Sequence, residues 1–271
     1  MLKIISSYNN STLKYINTLY QKKHRDAEQR FIIEGIKLIT EAIRAQAVFF
    51  CIVVEEEFLQ ANLMLIPTLE QICNQIYIVK SAILKSISDV QNSQGILAII
   101  EYLSYDSSEI FLNEKNESES LFMIALDHLQ DPGNMGTIIR TADAAGVRGV
   151  LLSEGTVDIY NSKVVRSTMG SLFHVPIYQT TNLSSTILAL QNMGCSIVAS
   201  HLLGSNFYKR AKNTQPIILV IGNESKGISP EIISISNYIY KLPMMGEAES
   251  LNASIAAGIM IYDFLRESLM K

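Results

Sequence analysis

The sequence predicts an α/β protein built as two α/β domains. Short apolar runs that read as buried strands alternate with segments of helical periodicity along both halves of the chain. A polar, acidic stretch at 105–120 separates those halves. With 271 residues, 48% hydrophobic and 18% charged, the chain has enough apolar material for one large core or two ordinary ones.

The first half opens with a helix over 11–24, then the short strand "RFIIEG" (30–35) and a helix over about 36–46. The strand "FFCIVV" (49–54), a helix over 68–75, the strand "QIYIV" (75–79), a helix over 81–87 and the strand "GILAIIEYL" (95–103) complete it. After the acidic stretch come the apolar strands "LFMIAL" (121–126), "GVLLS" (149–153), "CSIVAS" (195–200) and "PIILVIG" (216–222), separated by helical patterns. "SLNASIAAGIMIYDFLRE" (250–267) closes the chain as a helix. Such alternation implies largely parallel sheets. The expected domains are 1–104 and 119–271, joined by an acidic linker over 105–118.

The net charge of −4 argues against a nucleic-acid partner only until it is located. Residues 105–120, "YDSSEIFLNEKNESES", carry five acids and one lysine, and the flanking segments are each neutral. The whole excess sits in one solvated stretch. Cys51, Cys73 and Cys195 are odd in number and widely spaced, which gives neither a disulfide framework nor a zinc knuckle. His24, His128, His174 and His201 lack metal-binding spacing. No apolar run approaches the roughly eighteen residues of a membrane span, and the N-terminus lacks the pattern of a signal peptide. A reduced, cytoplasmic, metal-free protein with no membrane partner is expected.

In open α/β sheets, ligands sit at the carboxyl ends of strands. Three corners fall there: "DPGNMGTIIRTADAAG" (131–146), "IGNESKG" (221–227) and "KLPMMGEAESLNAS" (241–254). In the first, "PGNMG" reads as a tight turn carrying Asn134, with Arg140 early on the helix that follows. "GNESKGIS" lacks the ending of a phosphate-binding P-loop, and neither GxGxxG after a strand nor GxSxG occurs. What remains are backbone-rich corners bearing Asn134, Arg140, Glu224, Ser250 and Asn252. Their chemistry suits a small polar cofactor and an anionic substrate, without a covalent intermediate.

Four stretches, in order and spacing, resemble the motifs of the SpoU (TrmH) family of RNA 2′-O-methyltransferases, of the SPOUT class. They are "DHLQDPGNMGTIIRTADAAG", "KVVRSTMGSLFHVP", "IGNESKG" and "LPMMGEAESLNASIAAGI". "QRFIIEGIKLITEAI" is similar to the start of that family's L30e-like substrate-binding domain. The resemblance implies transfer of a methyl group from S-adenosylmethionine to a ribose 2′-hydroxyl of structured RNA. It also implies a homodimer and a C-terminal parallel sheet with a deep trefoil knot, an exception to the usual connection rules.

By motif, the resemblance makes Asn134 and Arg140 the first-motif pair and Glu224 the acid of "GNE". Ser250 and Asn252 fall in "SLN". Gly222, Leu242 and Leu251 match positions whose backbone holds the cofactor's adenosine, with Met244 alongside. Ser250 reads equally as N-cap of the last helix, and Glu224 either aligns Arg140 or caps a helix. The strand end "ASHLLG" (199–204) reads as another cofactor wall. The family's reading of Arg140 is general base. A guanidinium with a pKa above about 12 stays charged, so a grip on the adjacent phosphate that polarises the hydroxyl is equally economical. Arg166, in the second motif, is expected to contact phosphate across the dimer.

The first 30 residues carry six basic and two acidic side chains. Lys22, Lys23, Arg25 and Arg30 form the expected RNA-contacting cluster. Ribosomal RNA is the favoured substrate, because the L30e-like domain exceeds the simpler extensions of the family's transfer-RNA members. Transfer-RNA methylation and a non-catalytic RNA-binding role are the alternatives.

Overall fold

A computed structural model describes residues 2–105, 122–212 and 215–270. Nearly all of the expected 105–118 linker lies outside the described residues. The chain divides into two compact units, Met1–Ser104 with Asp158–Phe173, and Tyr105–Val157 with His174–Lys271.

The first unit contains strands β1 (Leu2–Ile5), β2 (Arg30–Glu34), β3 (Phe49–Glu55), β4 (Ile76–Val79) and β5 (Ile96–Glu101). Its helices are α1 (Ser11–Thr18), α2 (Lys22–Glu28), α3 (Ile36–Arg44), α4 (Glu56–Ala61), α5 (Ile66–Ile72) and α6 (Ser81–Ile87). The sheet order is β1-β4-β3-β5-β2. The β1–β4 and β4–β3 pairs are parallel, whereas β5 runs antiparallel to both β3 and β2. This sheet is therefore mixed where largely parallel pairing was expected. Ile96–Ile100 of β5 is completely buried, and an uninterrupted apolar run carries no signal of strand direction.

The helix expected over 11–24 breaks into α1 and α2. The Leu19 N–H bonds to the Ile16 carbonyl at 3.0 Å, a tight closing turn. That turn drives Leu19 into the core beside Leu13, Ile16, Ile83 and Leu84. Residues 158–173, expected within the C-terminal region, contain α8 (Ser162–Thr168) and pack in the first unit. Three interactions hold them. Asp158 pairs with Arg25, Tyr160 stacks on Tyr102 at 3.9 Å, and Arg166 reaches Asp89 at 3.2 Å.

The second unit contains β6 (Phe122–Leu126), α7 (Pro132–Ala144), β7 (Gly149–Ser153), β8 (Ile177–Thr180), α9 (Leu183–Asn192) and β9 (Ser196–Asn206). It continues with β10 (Ile217–Ile221), α10 (Pro230–Ile235), β11 (Tyr238–Lys241) and α11 (Ala253–Leu269). All pairings in its six-stranded sheet, ordered β11-β9-β10-β6-β7-β8, are parallel. From β6 the chain proceeds to β7 and β8 on one side, whereas β10 leads to β11 on the other. The neighbours β6 and β10 therefore flank a topological switch point, the kind of place where open α/β sheets bind ligands. Ala199 of β9 pairs with Ile239, and Ser205 with Tyr240, so residues 200–204 loop out of the ladder.

"PGNMG" is the first turn of α7, not a separate turn ahead of it. Asp131 is the N-cap, and its Oδ1 accepts the Asn134 N–H at 2.7 Å. Pro132 at the first helical position has the right φ and lacks only an N–H that has no intrahelical partner there.

Candidate functional site

A cleft of about 540 Å3 opens between the out-of-register middle of β9 and the carboxyl ends of β10 and β11, wholly within the second unit. Its walls are the outward loop at 200–203, the turn at 222–227, the segment after β11 and the first turn of α11. Gly222, Glu224, Leu242 and Met244 all line it. So do Ser250, Leu251 and Asn252. The "ASHLLG" stretch contributes Ser200, His201, Leu202 and Leu203.

The turn at 222–227 is closed by reciprocal backbone bonds between Asn223 and Gly227, both 2.9 Å. The Asn223 carboxamide oxygen accepts the N–H groups of Ser225 and Lys226, each at 2.9 Å. This fold of the turn requires glycine at 222. A Cβ there would lie 2.3 Å from the Gly227 carbonyl carbon and 2.4 Å from the Ile228 nitrogen. The missing side chain makes room for the protein's own backbone.

Glu224 ties this turn to the end of β6. Its Oε1 accepts the Asn134 Nδ2 and the Asp131 N–H, both at 3.0 Å, and its Oε2 accepts the Gln130 N–H at 3.1 Å. Asn134 in turn accepts at Oδ1 from Asn252 Nδ2 at 2.9 Å. Partial burial pushes the Glu224 carboxyl up, but the bonds from Asn134, Asp131 and Gln130 outweigh it and hold it below its ordinary value. Glu224 therefore serves neither alternative left open by the sequence. It binds no side chain of Arg140, and the helix it adjoins is capped by Asp131.

Asn252 is the N-cap of α11, with its Oδ1 accepting the N–H groups of Ser254 and Ile255 at 2.9 and 3.3 Å. The cap reading of Ser250 is thus corrected; Ser250 is an exposed cleft residue two positions earlier. Asn134, Glu224 and Asn252 form one connected chain of hydrogen bonds across α7, the turn after β10 and the start of α11.

Arg140 stands apart from that chain. It is exposed, whereas Asn134, six residues earlier on α7, is buried. At about 100° per residue they face different directions, and no ion pair fixes Arg140 among the described residues.

In the first unit, the expected RNA-contacting cluster splits. Arg25 is only 4% exposed, donates to the Leu19 carbonyl at 2.8 Å and pairs with Asp158. Burial and pairing withdraw it from RNA. Arg30 lies over the Phe50 ring at 3.7 Å and donates to Tyr15 Oη at 3.2 Å. Lys22 and Lys23 remain on the exposed face of α2, with Lys22 bridged to Asp26. Arg166 lines a smaller pocket of the first unit.

Gln130, Asp131 and Asn223 went unassigned in the sequence. The Asp-Pro pair was the available signal, since Asp before Pro marks a helix start. Among the described residues, no cluster of His, Cys, Asp and Glu is placed to hold a metal ion. No described helix is long and apolar enough to cross a membrane.

A parallel sheet with a cleft at the carboxyl ends of its strands defines a small-ligand-binding α/β domain. This chain belongs to the SpoU rRNA methylase family, which it matches over residues 121–262; residues 10–98 match the MRM3-like substrate binding domain. It is 31% identical to the 23S rRNA (guanosine(2553)-2′-O)-methyltransferase RlmP of Bacillus subtilis, over 96% of this chain and 98% of that one. An AdoMet-bound rRNA methyltransferase from Sinorhizobium meliloti superposes with a TM-score of 0.87 and 32% identity, covering 98% of each chain. An RNA 2′-O ribose methyltransferase superposes at 0.81 with 28% identity, over 99% of this chain and 100% of that one.

Proposed function

We propose that the protein transfers the methyl group of S-adenosylmethionine to a ribose 2′-hydroxyl of ribosomal RNA. The observation that carries this reading is the cleft between β9 and the ends of β10 and β11, joined through Glu224 and Asn252 to the buried first-motif Asn134.

The cleft suits that cofactor on its own chemistry. Its volume of about 540 Å3 falls in the range of roughly 300–1,000 Å3 typical of small-molecule sites. Leu242, Met244 and Leu251 offer apolar surface to a flat base, while the 222–227 turn offers backbone polar groups. When bound, S-adenosylmethionine supplies a methyl group already activated on its sulfonium.

The chain's own residues then have to align the acceptor and help remove its proton. Arg140 grips the RNA phosphate beside the target ribose and polarises the 2′-hydroxyl as a charged donor, so that the hydroxyl proton passes to solvent water as the methyl group is transferred. Asn134 keeps one N–H and one lone pair after its bonds to Glu224 and Asn252, and these orient the ribose. Ser250, at the cleft rim, contributes a further hydroxyl. Lys22 and Lys23 hold RNA phosphate in the first unit.

Ribosomal RNA is favoured over transfer RNA because the similarity to the RlmP relative extends along the whole chain, substrate-binding region included. We also read the protein as a cytoplasmic homodimer with the family's trefoil knot. Ile255 and Tyr262, 52% and 49% exposed, are seven residues apart on α11 and so share a face that a second copy would cover.

The reading is tested by incubating the purified chain with labelled S-adenosylmethionine and either ribosomal or transfer RNA. Label is expected in ribosomal RNA, at a ribose 2′-oxygen. Label in transfer RNA alone would move the substrate to the alternative. No cofactor binding by calorimetry would leave the non-catalytic reading.

A further inference from the structure

The first unit holds a second, smaller pocket of about 210 Å3, and the activity above does not use it. It is walled by the end of β2, the start of α3, the loop at 90–94 and α8. That volume lies below the roughly 300–1,000 Å3 of sites for drug-sized ligands. It suits one flat base.

Glu34 supplies the pocket's one carboxylate. It is half-buried, and its only hydrogen-bond donor among the described residues is Ser88 Oγ, at 2.7 and 2.9 Å from its two oxygens. A single hydroxyl proton leaves most of the carboxylate's lone pairs open. A carboxylate only accepts, so it selects a base edge with adjacent donors. Guanine presents two on its Watson–Crick edge, N1–H and N2–H. Adenine, cytosine and uracil each set a donor beside an acceptor, which a carboxylate repels.

The remaining walls match the rest of a nucleotide. Asn92 and Gln94 offer amide donors to a carbonyl or ring nitrogen. Leu38, Val90 and Met169 offer apolar surface to the base faces. Met169 is 42% exposed and sits at a left-handed φ of 54°, a conformation that non-glycine residues adopt rarely. Two cations stand at the pocket for the phosphate. Lys37 is exposed with no ion pair among the described residues, and Arg166 is held in place by Asp89 at 3.2 Å.

We propose that this pocket is a subsite for one unpaired guanine nucleotide of the RNA substrate. The inference rests on the reading of the protein as an RNA methyltransferase. Splayed-out single bases are what sequence-specific RNA binders read, through their Watson–Crick edges. Arg166 thus acts from the first unit, on RNA recognition, and Asp89 is its positioning residue.

Calorimetry of the full chain with guanosine 5′-monophosphate and inosine 5′-monophosphate tests the pocket, since inosine lacks only the 2-amino donor. Guanosine monophosphate is expected to bind about ten-fold tighter, the scale of one well-made base contact. Glu34→Gln should abolish most of that preference, and Asn92→Ala, at an exposed position, should weaken both ligands. S-adenosylmethionine affinity should hold in both variants. A single-stranded RNA with one guanosine should displace the mononucleotide, and its inosine counterpart should displace it about ten-fold less well. Equal affinity for the two mononucleotides, or an unchanged preference in a folded Glu34→Gln chain, overturns the subsite. Selective mononucleotide binding that no RNA displaces points to a free nucleotide and also overturns it. An RNA that binds equally with guanosine or inosine overturns the subsite alone, whereas a chain that binds no ribosomal RNA overturns the reading beneath it.

Discussion

Glu224 Oε1 accepts from Asn134 Nδ2 at 3.0 Å, across 90 residues of sequence. This bond joins the turn after β10 to the first turn of α7, the two structures that flank the switch point. A carboxylate with two backbone N–H donors and one amide donor fixes three elements at once. Cleft wall and first motif therefore move together.

The same bond sets a pH dependence. Because the Glu224 carboxyl is held below its ordinary value, its contribution to stability is present above the unfolded-state pKa. It is lost as pH falls through the depressed folded-state value. Glu224→Gln should remove part of the acid-side decline in melting temperature and weaken S-adenosylmethionine binding at neutral pH. Thermal melts of the two proteins between mildly and strongly acidic pH check the first expectation. Parallel curves would mean that Glu224 is not part of the acid response.

Gly222→Ala should damage the turn itself. The new methyl group would sit 2.3–2.5 Å from Gly227 and Ile228 backbone atoms. Melting temperature and cofactor affinity should fall together, because the Asn223–Gly227 closure opens. A variant of wild-type stability that has lost only cofactor affinity would show instead that the glycine leaves space for adenosine.

Arg140→Ala should leave fold and cofactor affinity intact, because the exposed guanidinium has no ion pair among the described residues. Removal of one preorganised charged donor costs about 3–4 kcal/mol of transition-state stabilisation, roughly 10² to 10³ in rate. Arg140→Lys keeps the charge and loses the planar fork. Near-complete loss in that variant favours a two-pronged grip on phosphate and hydroxyl; substantial rescue shows that a point charge suffices. Single-turnover kinetics with saturating RNA give the comparison.

The basic cluster of the first unit divides into two tests. Lys22→Ala with Lys23→Ala should flatten the salt dependence of RNA binding by about one unit for each phosphate no longer neutralised, with stability unchanged. Arg25→Ala should do the reverse. It strands Asp158, whose side chain is 12% exposed, and loss of one partner of a buried pair costs roughly 3–5 kcal/mol. A well-folded Arg25→Ala chain with weakened RNA binding would return this arginine to the RNA surface.

The second unit was the more legible part of the sequence. "GVLLS" is β7 to the residue, and "PIILVIG" overlaps β10, because buried parallel strands are short uninterrupted apolar runs. Arg25 shows where reading stops. Its basic neighbours Lys22 and Lys23 are solvated, and nothing local marks the one that is buried. Its partner Asp158 lies 133 residues away, and long-range pairing leaves no trace in composition. The exclusion of residues 158–173 from the second unit has the same cause. Asn134 is legible as a corner residue, but proline and glycine around it suggest a turn where the chain forms a helix. The helix start became visible only with the Asp131 cap.

The most direct test of the central claim is a map of ribose 2′-O-methylation in total RNA from cells with and without the gene. Loss of the protein is predicted to remove methylation at a ribose of ribosomal RNA, with restoration by the wild-type gene and not by Arg140→Ala. A ribosomal map that is identical in both strains, with the loss confined to transfer RNA or to no RNA at all, would contradict the account.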